Sequence, residues 1–188
     1  METKRTALII HGYGLNESDW HRVVWGNTEH GLLGRAPMGI LIAHRRKPEL
    51  IIWNTGATEL EGMFEGKYTL EYALEHVPEL QNQFHEFQNI DARELAAYLR
   101  LVSIIETKSR RTTESLIEAI PYLTQDGRPR YAEVMQVTSK NHAPRVLRDS
   151  IDIWWEQRGL MITTSVYPAQ TGYHSGTAGA TQITDSIS

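Results

Sequence analysis

The chain has 188 residues, no cysteine and a formal net charge of -4 at pH 7. Its length fits one domain with a substantial core, because a chain of about 150 residues already buries about two-thirds of its unfolded surface. The acidic balance argues against a nucleic-acid binder. Without cysteine the chain has no disulfide, zinc–thiolate site or cysteine nucleophile, which fits a cytoplasmic protein. The apolar run at residues 7–10 is too short for a spanning helix or a signal-peptide core, so no membrane segment is expected.

Short apolar runs alternate with longer helical patterns along the chain, which is typical of βαβ units and a parallel sheet. Strands are predicted at residues 6–10, 50–53, 101–105, 133–137 and 160–166. The predicted fold class is therefore α/β, a Rossmann-like three-layer domain with a mainly parallel central sheet. We expect one domain over residues 1–168, with a helical insertion at about residues 64–100. Residues 169–188, rich in Gly, Ser and Thr, are predicted to form a flexible C-terminal tail.

Helices are predicted where apolar residues recur at helical spacing. The predicted segments are residues 34–46, two or three helices within 69–99, 112–123 and 142–157. Asn16 and Asp19 signal one more helix start. Trp154 and Trp155 are adjacent and cannot share one helix face, so one of them is a candidate for an exposed position at the interface of a homo-oligomer. The alternative is that they pack in the core.

Ligands of an open parallel sheet bind outside the carboxyl ends of its strands, where the connecting loops converge. The first two such loops here contain glycines, which permit close backbone approach to an anion. Their candidate ligand-binding residues are Gly12, Tyr13, Gly14, Thr55 and Gly56. The alternative is plain strand-to-helix turns. The first loop lacks the third glycine of a dinucleotide fingerprint and the chain lacks a P-loop lysine, so neither NAD nor P-loop chemistry is indicated.

The third loop carries Lys108, Arg110 and Arg111 within four residues, ahead of a predicted helix start that includes Thr113. Two arginines beside a helix N-terminus make a pocket for phosphate or carboxylate, because guanidinium offers paired donors and the helix end adds partial positive charge. The alternative is a solvated, charged turn.

The fourth loop follows a predicted buried strand. Thr138, Ser139 and Lys140 end the strand, His142 opens a helix, and Arg145 lies on the same helical face as His142. A histidine at a helix N-terminus has its charged form disfavoured by the helix dipole, which leaves a neutral imidazole as a candidate base. The alternative is a structural histidine.

Two stretches of the chain carry motifs of a known family. The first is a strand ending in Glu106 that is followed by Ser109, Thr112 and Glu114, and the second is a VTS sequence at residues 137–139 that is followed by His142 and Arg145. In these motifs the chain resembles the YdcF-like family of bacterial α/β domains, which includes SanA-like envelope proteins.

The resemblance covers about residues 6–159, and the glycine loops match the family less closely. The chain departs from the family at Arg111 and Ser115, which stand where the family has asparagines. Its segment 64–89 is also longer than the corresponding segment of the family. The resemblance implies a Rossmann-like fold and, for some members, binding of S-adenosylmethionine or another nucleotide-like molecule. It does not identify a cofactor for this chain.

The leading hypothesis is an enzyme acting on a small anionic, nucleotide-like or S-adenosylmethionine-like substrate, by hydrolysis, elimination or group transfer. His142 would move a proton, with Glu106 or Glu114 orienting it. The cations expected to hold the anion are Arg110 and Arg111 with Lys140 or Arg145. The runner-up is a non-catalytic module that binds the same ligand. No histidine spacing indicates a metal site, although a hard cation at Glu59, Glu61 or Glu114 is an alternative.

Overall fold

The computed structural model describes residues 4–175 and 181–185. Its central sheet has five strands: β1 (Thr6–His11), β2 (Leu50–Asn54), β3 (Ser103–Glu106), β4 (Glu133–Ser139) and β5 (Thr163–Ala169). They lie in the order β5-β4-β1-β2-β3, and every neighbouring pair is parallel. The predicted Rossmann-like three-layer α/β fold with a parallel sheet is confirmed.

Helices cover both faces of this sheet. One face carries α1 (Arg35–Arg46), α2 (Glu65–His76) and α3 (Ala92–Val102), and the other carries α4 (Thr112–Leu123) and α5 (Ala143–Ser150). A π-helical turn, Ile151–Gln157, continues α5. Because both faces are buried, the inner strands read as continuous apolar runs rather than as alternating ones.

The remaining elements are short. Three helical segments, Val77–Glu79, Leu80–Gln83 and His85–Phe87, link α2 to α3. A π-helical turn, His21–Trp25, precedes α1. Antiparallel pairs are formed by Gly26–Asn27 with Leu32–Leu33, Glu59–Leu60 with Met63–Phe64, and Thr124–Gln125 with Arg128–Pro129.

The residues predicted as a helical insertion supply most of one helical layer. Leu70 and Ala73 of α2 belong to the core against the sheet. A Cβ atom on Gly66 would lie 2.6 Å from the Trp53 carbonyl oxygen, so α2 begins directly against β2. The segment therefore serves as the crossover from β2 to β3, which a parallel pair requires.

Three predicted element starts were wrong. The strand predicted at residues 101–105 begins at Ser103, because residues 101 and 102 are the last turn of α3 and the Leu101 side chain is 83% exposed. The strand predicted from residue 160 begins at Thr163, since buried Leu160 and Ile162 lie in the preceding segment. Asn16 lies in a turn rather than at a helix start, whereas the helix predicted at residues 142–157 is present over residues 143–157 and turns π-helical after Ser150. Apolar runs at an element junction do not distinguish helix from strand.

Part of the predicted flexible tail contains regular structure. Strands Thr171–Ser175 and Thr181–Asp185 pair antiparallel within it. Residues 176–180 and 186–188 of that prediction lie outside the described residues, and the flexibility of the tail stays a prediction. Across residues 4–175 and 181–185, no helix has both the length and the apolar character needed to cross a bilayer.

The strand order reverses between β1 and β4. From β1 the chain runs to β2 and β3 on one side, and only then crosses to β4 and β5 on the other. The loops after β1 and β4 consequently leave the sheet toward opposite faces and open a crevice between them. That crevice is where the candidate site lies.

We expect Trp154→Ala to lower the free energy of unfolding by about 3–5 kcal/mol, because the fully buried indole also donates to the Leu116 carbonyl at 3.0 Å. Trp155, which is 39% exposed, is the matched control, and Trp155→Ala should cost about 1 kcal/mol. Urea unfolding of both variants gives the comparison. Equal losses would contradict the core assignment of Trp154.

Candidate functional site

A cavity of about 200 Å³ lies outside the carboxyl ends of β1 and β2, at the β1–β4 crevice. We call it the switch-point cavity. Its polar lining includes the predicted residues Tyr13, Thr55, Arg110, Arg111 and His142, and also His11, Arg35, Asn54, Glu65, Thr112 and Ser115. Backbone of Gly12 and Gly14 completes the side next to β1.

Four helices direct their N-termini at this cavity, and none of the four has a capping side chain. They are α1, α2, α4 and α5, which contribute Arg35, Glu65, Thr112 and the N-cap His142 to the lining. By contrast α3, which lines no part of the cavity, is capped by Asp91. The aligned dipoles of converging helix N-termini favour an anion, although the first two N–H groups of α2 already donate to the carbonyl oxygens of Thr58 and Thr55.

Arg35 ties the loop after β1 to the end of β4. Its guanidinium, only 2% exposed, donates from Nε to the Ser139 hydroxyl at 2.9 Å and from Nη1 to the carbonyl oxygens of His11 and Gly12. Arg35 also stacks over the Tyr13 ring, 5.4 Å from its centroid. These contacts place a positive charge at the base of the cavity.

His11 is a neutral imidazole. Burial, followed by the positive charge of Arg35, lowers its pKa from 6.5 to about 4. Its Nε2 lies 2.9 Å from the Gln136 side-chain oxygen, while the Gln136 amide nitrogen donates to the hydroxyls of Ser150 and Thr164. Since that oxygen only accepts, we assign the proton of the neutral ring to Nε2.

His142 is also held neutral near pH 7. Burial lowers the pKa of its imidazole, and the charges of Arg35 and Arg145 lower it further against the opposing effect of Asp149. The sequence-based expectation of a neutral imidazole at this helix start rested on the helix dipole, whereas burial is the largest cause here.

Glu65 is a buried carboxyl at the start of α2. The side chain is 1% exposed, and burial raises its pKa from 4.5 to about 7 despite the Thr58 hydroxyl, which donates to Oε2 at 2.9 Å, and the charge of Arg35. Its Oε1 lies against Gly12 and has no hydrogen-bond partner among the described residues. Both the protonated and the ionised form of this carboxyl are therefore accessible near neutral pH.

Asn54 ends β2, in register with His11 of β1 and Glu106 of β3. Its side chain is 2% exposed, and within residues 4–175 and 181–185 neither its amide nitrogen nor its amide oxygen has a hydrogen-bond partner. A buried, unsatisfied amide is costly, which marks Asn54 as a group that a ligand could satisfy.

Two carboxylates shape the loop that carries the arginines. Glu106 is buried and accepts from the backbone N–H groups of Lys108 and Ser109 and from the Ser109 hydroxyl. Glu114 accepts from the backbone N–H of Arg110 at 2.7 Å. Both hold the loop in shape, and neither lines the cavity.

The other predicted ligand-binding residues lie outside the lining. Lys140 is exposed, and Arg145 faces Asp149 at 3.4 Å. Ser139 is buried beneath Arg35, and Thr138 is buried beside it in β4. The two remaining residues are Gly56, whose Cβ position would overlap the Thr107 carbonyl oxygen, and half-buried Thr113 in α4.

The sequence-based list lacked Arg35 and Glu65, the two ionisable groups on the first turns of α1 and α2, together with the strand ends His11 and Asn54. A signal for the first two exists in the sequence. The residues before them, Gly34 and Phe64, offer no capping side chain. A helix that starts without a cap is a candidate for an N-terminus that meets a ligand.

The hard-cation alternative involved Glu59, Glu61 and Glu114. Glu59 and Glu61 are exposed on the hairpin before α2, away from the cavity lining. The described part of the chain contains no group of three or more His, Asp or Glu side chains arranged to hold a metal ion.

Gly12→Ala should destabilise the fold by about 1–3 kcal/mol, because its Cβ would overlap Glu65 Oε1 and lie 2.7 Å from the Asn54 carbonyl oxygen. Gly14→Ala is the matched control. Its Cβ would lie 3.5 Å from Glu17, an ordinary contact, and should change stability by less than about 1 kcal/mol. Chemical denaturation measures both, and a smaller loss for Gly12→Ala than for Gly14→Ala would contradict this packing.

Glu65→Gln should remove part of the pH dependence of stability. Between pH 4.5 and about 7 the folded chain holds this proton more tightly than the unfolded chain, so wild-type stability falls as pH rises through that window. The variant cannot ionise, and its stability relative to wild type should rise by about 3 kcal/mol across the window.

Unfolding free energies of wild type and Glu65→Gln at several pH values between about 4 and 8 test this expectation. His11 titrates in both proteins and cancels in the difference. Glu71→Gln, an exposed position on the same helix, is the control for losing one carboxylate. A wild-type-to-variant difference that stays constant with pH would contradict the raised pKa of Glu65.

No family model, no curated protein and no solved structure matches this chain. The resemblance to the YdcF-like family therefore depends on the sequence motifs alone. A functional conclusion must therefore come from the residues of the switch-point cavity and from their burial, hydrogen bonds and charges.

Proposed function

We propose that the chain is an enzyme that acts on a small anionic, nucleotide-like molecule in the switch-point cavity. One observation carries the proposal: the uncapped N-termini of four helices and three arginines surround a cavity that also holds a neutral imidazole, His142. The fold supports the same location, because α/β sheets bind their ligands at the point where the strand order reverses.

The anion would lie at the N-terminus of α4. Arg110 and Arg111 precede this helix, Thr112 begins it, and all three line the cavity. Arg110 is steadied by the Phe64 ring, which lies 5.3 Å from the guanidinium carbon. Arginine at an uncapped helix end offers paired, charge-assisted hydrogen bonds to a phosphate or a carboxylate.

Proton transfer would involve two groups that differ in protonation. The neutral imidazole of His142 can accept a proton from water or from a substrate hydroxyl, and the carboxyl of Glu65, with its pKa raised to about 7, can give one to a leaving group. Paired groups whose environments favour opposite protonation states are the usual basis of acid–base catalysis near neutral pH. This assignment replaces Glu106 and Glu114, which are bound to loop N–H groups.

The S-adenosylmethionine-like ligand that the family resemblance implies does not fit this lining. A sulfonium group is cationic, and the charged lining consists of Arg35, Arg110 and Arg111 against one carboxyl, that of Glu65. Because burial favours the protonated form of that carboxyl, the cavity carries excess positive charge near neutral pH. This charge favours the anionic member of the predicted substrate class.

His142→Ala should lower kcat by about 10²–10⁴-fold on any substrate of the enzyme, since a positioned proton-transfer group contributes that much. The measurement is turnover of a panel of nucleotides, sugar phosphates and phosphorylated acids followed by ³¹P NMR. His30→Ala, at an exposed position, is the matched control and should retain wild-type kcat. Circular dichroism would establish that both variants fold.

Unchanged kcat in His142→Ala would contradict the assignment of this residue. A ligand that binds the wild-type chain and is recovered unmodified after long incubation would contradict the enzyme proposal. That second result would support the non-catalytic binding module instead.

A further inference from the structure

The chemistry of the cavity lining narrows the substrate class, and this inference rests on the proposed function. Size gives the first restriction. The cavity has a volume of about 200 Å³. Pockets that enclose drug-sized ligands measure about 300–1,000 Å³. The cavity is therefore smaller than a pocket that encloses a complete nucleotide, and it favours a smaller phosphorylated unit.

Charge gives the second restriction. Three guanidinium groups line the cavity, and four uncapped helix N-termini point toward it. A phosphate monoester is a dianion near neutral pH and presents three acceptor oxygens, which matches this concentration of donors better than a single carboxylate does.

The unsatisfied side chains give the third restriction. Phosphate oxygens accept hydrogen bonds, so an anion alone would satisfy the Asn54 amide nitrogen and leave its amide oxygen without a donor. The Oε1 atom of Glu65 likewise lacks a hydrogen-bond donor whenever the carboxyl is ionised. A hydroxyl group both donates and accepts, and so completes both side chains. The lining thus favours a ligand that carries hydroxyl groups next to its phosphate.

The two kinds of group are close enough to meet one small molecule. A Cβ atom on Gly56 would lie 2.7 Å from Arg110 Nη1, so the guanidinium lies over a residue two positions beyond Asn54. Two residues span at most about 7 Å of chain. The Gly56 N–H also donates to the Ser109 carbonyl at 3.0 Å, which holds the loops after β2 and β3 together.

We propose that the switch-point cavity recognises a pentose-phosphate unit, with the phosphate at the N-terminus of α4 between Arg110 and Arg111 and sugar hydroxyls on Asn54 and Glu65. The unit has two sources, a free sugar phosphate or a nucleoside 5′-monophosphate. In the second case the base extends outward past exposed Ala57 and Arg110, which line the mouth.

Isothermal titration calorimetry of the wild-type chain with four ligands tests the proposal. Ribose 5-phosphate should bind at least about tenfold more tightly than n-pentyl phosphate, which carries the same phosphate without hydroxyls, because two added hydrogen bonds supply a difference of that order. Inorganic phosphate should bind as weakly as n-pentyl phosphate. AMP distinguishes the sources: affinity at or above that of ribose 5-phosphate supports a nucleotide, and much weaker binding supports a free sugar phosphate.

Variants separate the two halves of the unit. Arg111→Ala should weaken all four phosphate ligands alike, whereas Asn54→Leu should lower the affinity for ribose 5-phosphate toward that for n-pentyl phosphate and leave the latter unchanged. Arg93→Ala, an exposed position on α3, is the control for the loss of one arginine. If Asn54→Leu fails to fold, the affinities of the four ligands for wild type and for Arg111→Ala still test the proposal.

Equal affinities for ribose 5-phosphate and n-pentyl phosphate would overturn the pentose assignment and leave the anion-handling enzyme standing. Absence of binding by all four ligands would overturn it as well. The proposed function fails on different evidence, namely unmodified recovery of a bound ligand or full kcat in His142→Ala, so the two failures are distinguishable.

Discussion

The buried guanidinium of Arg35 is the interaction on which the site depends. A charge taken out of water destabilises a fold unless it is hydrogen-bonded, and here Nη1 donates to the carbonyls of His11 and Gly12 and Nε donates to the hydroxyl of Ser139. Those bonds join the first turn of α1 to the two loops that diverge at the strand reversal. Burial lowers the pKa values of His11 and His142, and the charge of Arg35 lowers them further, so this residue both shapes the crevice and helps to keep its histidines neutral.

Glu65 is the one carboxyl in the cavity lining, and it does not fully neutralise Arg35 at neutral pH, because burial raises its pKa to about 7. Gly12 packs against its Oε1, which contributes to that burial. A dianionic ligand would supply the missing negative charge and, by its repulsion, would raise the pKa of Glu65 further. Ligand binding and protonation of Glu65 are therefore expected to reinforce each other, which suits a group that must be a proton donor when substrate is present.

Much of the fold could be predicted from the sequence, because strands buried on both faces must be continuous apolar runs, as at residues 7–10 and 50–53. The boundary near Leu101 could not, since apolar residues continue across the junction of α3 and β3. Two residues of the site, Arg111 and His142, could be predicted because they lie in loops that follow strands of the sheet. Arg35 and Glu65 were not predicted, because they are the first residues of helices and the local sequence does not show which helix N-termini converge after folding.

Helix capping shows how the fold divides stability from function. Asp91 caps α3 by accepting from the N–H groups of Arg93 and Glu94, a contribution of about 1 kcal/mol. The four helices that face the cavity have no such side-chain cap, so their N-terminal dipoles are available to a bound anion. Because such a ligand binds the folded chain and not the unfolded one, its binding energy returns as stability. The cavity is thus a place where a bound anion would add stability to the fold.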